Sequence, residues 1–382
     1  MLNEGGYNTS YIGKWHLYAA EFGNHGDPKN SFVPPGPDRL GFDGYFAAYN
    51  FHHGYYGDAA YYHLDTPEKI YCEGYEPDFQ TDLAIKQIKQ LAGDKKPFAL
   101  FLSVGTPHDP WTAENVPMDY LERFRGTEFA LPENYLPEND PRADNWARLN
   151  DSERAELTEW MRVYYAMTAN LDWNVGRILD TVDELVPDDT IVVFTSDHGE
   201  LFGAHGRRAK NIFYDEAVRV PFLVRKKGLA PCNYDGCFNT VDIMPTMLGM
   251  MSLPIPAGVE GTDCSALIAK QAAQTGEDGS LMMGTGPTAV FGDGYEWRAY
   301  RTKRHTYAIF KSDGMEMLFD NIDDPLQMNN LITLPSYKDL ADDLRKRMKT
   351  EMERIGDKFE LNSYYEKNWI EDRVIVRTAT LL

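Results

Sequence analysis

Two short apolar runs separated by one long amphipathic helix constrain this chain more than any other feature. Pro97-Phe-Ala-Leu-Phe-Leu-Ser-Val104 and Thr190-Ile-Val-Val-Phe-Thr-Ser196 have the length and continuous apolarity of strands buried on both faces. Between them Leu157, Trp160, Met161, Tyr164, Leu171, Val175, Ile178 and Val182 keep a helical period. Asn150 with Glu153 predicts a capping box at the start of that helix, and Pro187 marks its stop. Arg219–Val224 predicts a further strand. Strand, helix, strand in this order predicts parallel strands covered by helices, because a parallel pair needs a long crossover. The expected fold class is therefore α/β, with a mixed, mostly parallel sheet flanked by helices.

The remaining segments fit around that core. Tyr7–Ile12 reads as a strand, and Thr81–Leu91 as a helix that Thr81 or Asp82 would cap. Residues 42–63 hold nine Phe and Tyr in 22 positions, punctuated by Gly54 and Gly57, and read as a long loop. Residues 107–150 contain six prolines and read as irregular. Ile268–Ser280 is small and polar, a surface connection, and beyond it the texture changes. Short alternating segments over 289–320 with turns at Gly292, Gly294 and Gly314 predict a smaller antiparallel sheet. Leu340, Leu344, Met348, Met352 and Ile355 predict a final amphipathic helix within 337–358. The expected division is an α/β domain over 1–280 and an antiparallel-sheet subdomain with its helix over 281–382.

Charge and length narrow the function classes. The 382 residues carry 59 acids against 38 bases, a formal net charge of −21. Nucleic acid and anionic membrane both repel such a chain, so neither is expected as a partner. No run approaches the roughly 18 apolar residues of a membrane span. Cys72, Cys232, Cys237 and Cys264 are too few for a disulfide framework, and the spacing of Cys232 and Cys237 is not diagnostic of a metal site. The opening residues Met1–Leu17 show no basic region followed by an apolar stretch, so they are not a secretory signal.

Chemistry-bearing residues gather after three of the expected strands. Tyr7–Ile12 runs into Gly13-Lys14-Trp15-His16, the 97–104 run into Thr106-Pro107-His108-Asp109, and the 190–196 run into Asp197-His198-Gly199-Glu200. Ligands of an open parallel sheet bind at the carboxyl ends of its strands. If the three strands share one such sheet, Lys14, His16, His108, Asp197 and His198 converge, and Lys210 can join them. Asp197 and His198 suit a divalent cation, although a calcium ion takes about six to eight oxygens. Lys14 and Lys210 suit a tetrahedral oxyanion, and His16 and His108 suit hydrogen-bond donation or proton movement. Taken singly, Lys14 reads as solvated surface, His108 as loop packing and Asp197 as the cap of a helix starting at Gly199.

These clusters resemble the sulfatase family of the alkaline phosphatase superfamily. Gly5-Gly6-Tyr7-Asn8-Thr9 followed by Gly13-Lys14-Trp15-His16-Leu17 is similar to its second signature. Thr195-Ser196-Asp197-His198-Gly199-Glu200 with His205-Gly206, Lys210 and Arg219-Val220-Pro221 is similar to its metal-binding region. Val241-Asp242-Ile243-Met244-Pro245-Thr246 and Leu318-Phe319-Asp320 through Asn330-Leu331 resemble later family segments. The resemblance implies that Lys14 and His16 hold the sulfate and the catalytic aldehyde hydrate, that Lys210 contacts a sulfate oxygen, and that His108 lies near the leaving oxygen. It implies calcium as the cofactor, held in part by Asp197 and His198. It further implies a sulfate-ester substrate and a periplasmic or secreted location for the full-length protein. The residues themselves add that the 42–63 aromatics and the Arg207-Arg208 pair next to Lys210 suit the framing of a sulfated sugar, by stacking and by contacts to its acidic groups, against the plainer reading of loop packing and solvated arginines.

One family element does not match. The family's nucleophile is a formylglycine made from the Cys of C-x-[PA]-x-R, and none of the four cysteines has that context: Cys72 precedes Glu-Gly-Tyr-Glu and Cys264 precedes Ser-Ala-Leu-Ile, for example. The family's early Asp pair, which completes the calcium shell, is also without a counterpart. The expectation is a chain that lacks the family's N-terminal segment and is inactive as written. Two other readings stand beside this one: a phosphohydrolase of the same superfamily, and a catalytically dead scaffold that binds without turnover.

Overall fold

The computed structural model describes residues 1–18, 27, 30–51, 54–136, 140–269, 279–285, 292–372 and 374–375. In chain order its elements are β1 (Asn8–Lys14), β2 (Phe46–Tyr49), β3 (Tyr61–Tyr62), β4 (Ile70–Tyr71), α1 (Glu76–Ala92), β5 (Phe98–Ser103), α2 (Met118–Arg123) and α3 (Asp151–Leu185). There follow β6 (Val192–Thr195), α4 (Asp215–Val218), β7 (Phe222–Arg225), α5 (Thr240–Met250) and α6 (Ser265–Ile268). The last part holds β8 (Gly279–Gly284), β9 (Trp297–Thr302), β10 (His305–Phe310), β11 (Glu316–Asp320), α7 (Lys338–Arg354), α8 (Asn362–Trp369), β12 (Ile370–Glu371) and β13 (Val374–Ile375). No helix among the described residues is long and apolar enough to cross a membrane.

The chain forms two compact units. The first comprises Met1–Ala130, Leu149–Thr190 and Trp369–Leu382, and the second Leu131–Arg148 and Ile191–Asn368. The division therefore falls near residue 190 and not at 280. The reason is the core of the second unit, where Leu201, Ile212, Phe213 and Tyr214 pack with Trp297, Ala299, Phe310 and Phe319 of the antiparallel sheet. The expected connection over 268–280 lies largely outside the described residues.

In the first unit β2, β1 and β5 form a parallel sheet in that order, with Tyr11 opposite Phe46 on one side and Phe101 on the other. Ile12, Ala47, Ala60, Tyr62 and Ala84 pack one face against α1. Helix α1 starts five residues earlier than its periodicity suggests, because Pro77 suits a first helical turn; Thr81 and Asp82 are interior, not caps. Asn150 and Glu153 do form the expected capping box on α3, each side chain accepting the other's backbone N–H. Asn170 and Asn174 of α3 donate to Asp78 of α1 at 2.8 and 2.7 Å and fix the pairing of these helices. The aromatic stretch 42–63 is not one long loop, since Phe46–Tyr49 is a fully buried strand.

In the second unit β8, β9, β10 and β11 make an antiparallel sheet, and Leu344 and Met348 of α7 bury against Tyr307 and Leu318. Strand β6 departs from expectation. It pairs antiparallel with β7, Val193 opposite Val224, and among the described residues makes no pairing with β1 or β5. Nor are the two apolar runs buried on both faces: Phe101 and Phe194 are exposed, as is Leu223 of β7. A continuous apolar run specifies a strand; it does not specify how many neighbours cover it.

Candidate active site

Within the first unit, the G-K-W-H cluster and His108 follow the carboxyl ends of adjacent parallel strands. The juxtaposition depends on Gly13, which has φ 104° and sits opposite Ser103. A Cβ there would lie 2.1 Å from the Ser103 carbonyl oxygen, so only glycine lets β1 pass β5 at this point. Lys14 ends the strand, Trp15 is buried against Phe42 and Phe46, and its N–H donates to Tyr49 O at 2.7 Å. The chain then turns through a left-handed His16, φ 57°, whose ring meets the edge of Phe51 at 4.9 Å.

His108 sits on a tight turn after β5 that is pinned from several directions. Its N–H donates to Gly105 O at 3.1 Å, and the buried Tyr55 hydroxyl donates to His108 O at 2.8 Å. Asp109 places a carboxylate oxygen 2.6 Å from His108 Nδ1, which orients the ring. Glu76, whose backbone N–H donates to Tyr55 O at 3.0 Å, is 1% exposed at the start of α1. Burial pushes its carboxyl up to about 8, against the opposing hydrogen bonds of Tyr49 and Gln80.

Within the second unit, Asp197 and His198 form the turn after β6. Asp197 accepts the His198 N–H at 2.9 Å, and no helix begins at Gly199, so Asp197 is not a helix cap. His198 Nδ1 lies 2.8 Å from Gly199 O, and its Nε2 lies 3.6 Å from the exposed Asp197 carboxylate. Gly199 donates to Ala217 O, and a Cβ at Gly199 would lie 1.9 Å from Glu216 O. Lys210 ends the following loop, half-buried, beside Glu200. Arg207 donates its guanidinium to Arg142 O, and Arg208 lies 5.7 Å over the Trp146 ring.

Asp197 and His198 offer one carboxylate and one imidazole, donor types that suit a divalent cation, and among the described residues no group of three or more His, Cys, Asp or Glu side chains could hold an ion. Of the four cysteines, Cys72 and Cys264 are buried, Cys237 is half-buried and Cys232 is exposed, and burial pushes the Cys72 thiol far up.

Comparison with known proteins decides the family. Residues 1–253 match the sulfatase family model, and residues 203–354 match that of the N-sulphoglucosamine sulphohydrolase C-terminal region. This chain belongs to the sulfatase family. The sulfatase is 34% identical over 370 residues to an ulvan-active sulfatase of Formosa agariphila, covering 95% of this chain and 67% of that one. It is 27% identical over 408 residues to an endo-4-O-sulfatase of Bacteroides thetaiotaomicron, covering 98% of this chain and 75% of that one. Its structure is similar to that of yidJ from Bacteroides fragilis, with a TM-score of 0.76 at 28% identity, covering 95% of this chain and 77% of the other. The α/β fold and the hydrolysis of sulfate esters expected from the motifs are those of this family.

Residues that the sequence pattern did not name hold the motif segments within each unit. Tyr55 and Asp109 hold His108; Asn134, Asp140, Glu200 and Tyr214 hold the loop before Lys210. The adjacency of His108 and Asp109 was a usable signal. The pairing of Asp140 with His205, 65 positions apart, left none in a single sequence.

Proposed function

We propose that this sulfatase acts on a sulfated carbohydrate, a reading carried by its 34% identity over 95% of the chain to the ulvan-active sulfatase. In this proposal Lys14 and Lys210 neutralise sulfate oxygens and His16 donates a hydrogen bond beside them. His108, oriented by Asp109, handles the proton at the leaving oxygen. Arg207, tied to the Arg142 carbonyl, and Arg208, beside the Trp146 ring, face the acidic groups of the substrate in this proposal. Of the 42–63 aromatics, Phe46, Tyr49, Tyr55, Tyr61 and Tyr62 are buried, which leaves the half-buried Phe42, Tyr45, Phe51 and Tyr56 for the sugar contact. Asp197 and His198 supply two calcium ligands of a larger set.

The covalent step needs a nucleophile, and none of the four cysteines has the formylglycine context. We therefore propose that the 382-residue chain alone does not turn over sulfate esters. The test compares this chain with one carrying an added C-x-[PA]-x-R segment, co-expressed with a formylglycine-generating enzyme. Both are assayed with calcium on ulvan, on an aryl sulfate and on the matching aryl phosphate. The expected result is hydrolysis by the extended form alone, with sulfate preferred. Equal rates from both forms refute the nucleophile argument, and preference for the phosphate refutes the sulfatase reading in favour of a phosphohydrolase.

A further inference from the structure

The loop that delivers Lys210 is closed upon itself. Leu201 N–H donates to Ala209 O at 2.9 Å, and Gly203 N–H donates to Arg207 O at 2.8 Å. Glu200 adds a carboxylate that accepts Ala209 N–H at 2.6 Å and Phe202 N–H at 3.3 Å. At the tip sits His205, 1% exposed and in the left-handed region at φ 54°.

Both ring nitrogens of His205 are engaged. Nδ1 lies 3.1 Å from Asp140 Oδ2, and Nε2 lies 3.1 Å from Asn134 Nδ2. The surroundings of Asn134 fix the tautomer. Its Nδ2 also lies 2.6 Å from Glu216 Oε1 and 3.3 Å from Leu326 O, both acceptors, so this end of the amide is the donor. His205 Nε2 consequently accepts, and Nδ1–H donates to Asp140. The Tyr214 hydroxyl donates to the same Asp140 oxygen at 2.6 Å, and its ring lies flat on the imidazole, centroids 3.5 Å apart. His205 N–H donates to Asn134 O at 2.9 Å, so backbone and ring are anchored to one residue.

A buried ring with every polar atom committed does not meet a substrate; it determines where its loop goes. Glu216 ties the same network to the Asp197-His198 turn, because its carbonyl is the surface against which Gly199 lies. We propose that His205 is a positioning residue of the sulfatase reaction. Held as the Nδ1–H tautomer between Asp140 and Asn134, it fixes the loop that aims Lys210. The inference rests on the reading of Lys210 as a sulfate contact.

The test titrates inorganic sulfate into the wild-type chain and into H205G, H205N, D140N and K210A by calorimetry. Hydrogen–deuterium exchange of the 201–210 amides is measured on the same samples. H205G relaxes the left-handed backbone while deleting the donor. H205N keeps an N–H toward Asp140 and tolerates positive φ. Losing a charge-assisted hydrogen bond is expected to weaken sulfate binding in H205G about tenfold, toward K210A, and to speed exchange at Leu201, Gly203 and Ala209. H205N is expected to restore affinity to within about twofold and to restore protection. If H205G fails to fold, as judged by exchange in α7, D140N reads the same network and is expected to weaken binding and protection in the same direction. Wild-type affinity and exchange in H205G, or in D140N, overturn the proposal, as does an H205N no better than H205G. Unchanged sulfate binding in K210A, or none in the wild type, removes instead the reading of Lys210; in that case unchanged 201–210 exchange in H205G still overturns the loop-fixing claim.

Discussion

Replacing Glu76 by Gln is expected to stabilise the protein, and more so as the pH rises. Glu76 opens α1, where the helix terminus favours negative charge, yet it is 1% exposed and burial dominates. Its carboxyl titrates near 8 in the fold against an ordinary 4.5. Between those two values the folded state holds a proton that the unfolded chain has released. Unfolding is therefore favoured as pH rises, by about 1.4 kcal/mol per pH unit. The stability is fully present below pH 4.5 and has been lost by about pH 8, a total of about 5 kcal/mol. Glutamine is nearly isosteric with the protonated acid, retains an oxygen for the Gln80 amide that now donates to Glu76, and does not titrate. The assay is urea unfolding of wild type and E76Q at pH 5, 6, 7 and 8. Every other titration is common to both proteins and cancels in the difference. The stability gap should widen by about 4 kcal/mol between pH 5 and 8. A gap that stays constant over this range, or an E76Q less stable than wild type at pH 8, would falsify the assignment of a protonated carboxyl to this position.

Three further outcomes are expected. Tyr55→Phe removes the hydroxyl that holds His108 O at 2.8 Å. It should cost about 1–2 kcal/mol in urea unfolding and speed amide exchange over 105–109, whereas unchanged exchange there would show that the turn holds itself. Gly13→Ala puts a Cβ 2.1 Å from Ser103 O at φ 104° and should lower stability by more than about 3 kcal/mol, with wild-type stability refuting the close approach of β1 and β5. Calcium should bind this chain far more weakly than a complete site, because affinity follows ligand number and charge; tight binding by calorimetry would reveal ligands beyond Asp197 and His198.

What was legible in the sequence is what local periodicity controls. The capping box at Asn150, the long helix that follows it, the parallel-sheet strands β1 and β5, and the antiparallel sheet with its closing helix all follow from patterns a few residues long. Partnership was not legible. Thr190–Ser196 announces a strand, but its pairing with β7 and the exposure of Phe194 depend on what lies alongside, which no apolar run encodes. The boundary near 190 escaped for the same reason: Phe213 and Tyr214 carry no mark that says their core is Trp297 and Phe319.

The glycines of the two motifs show how packing and chemistry share one short sequence. Gly13 lies against the Ser103 carbonyl in the first unit, and Gly199 lies against the Glu216 carbonyl in the second. In each case the backbone rests on a neighbouring backbone at a distance no Cβ permits, Gly13 within β1 and Gly199 shortly after β6, and the proposed site residues stand beside that contact: Lys14 and His16 after Gly13, Asp197 and His198 before Gly199. A glycine in such a position has no side chain to contribute, so its part in the chemistry is geometric. It lets the turn close on a fixed surface and thereby holds its neighbours at a defined height above the strand end. The order Gly-Lys-x-His and Asp-His-Gly are then two solutions to one requirement, that charged groups at a strand end be held by backbone and not by their own flexible side chains. Substituting either glycine should therefore damage binding through position while leaving every ionisable group in place.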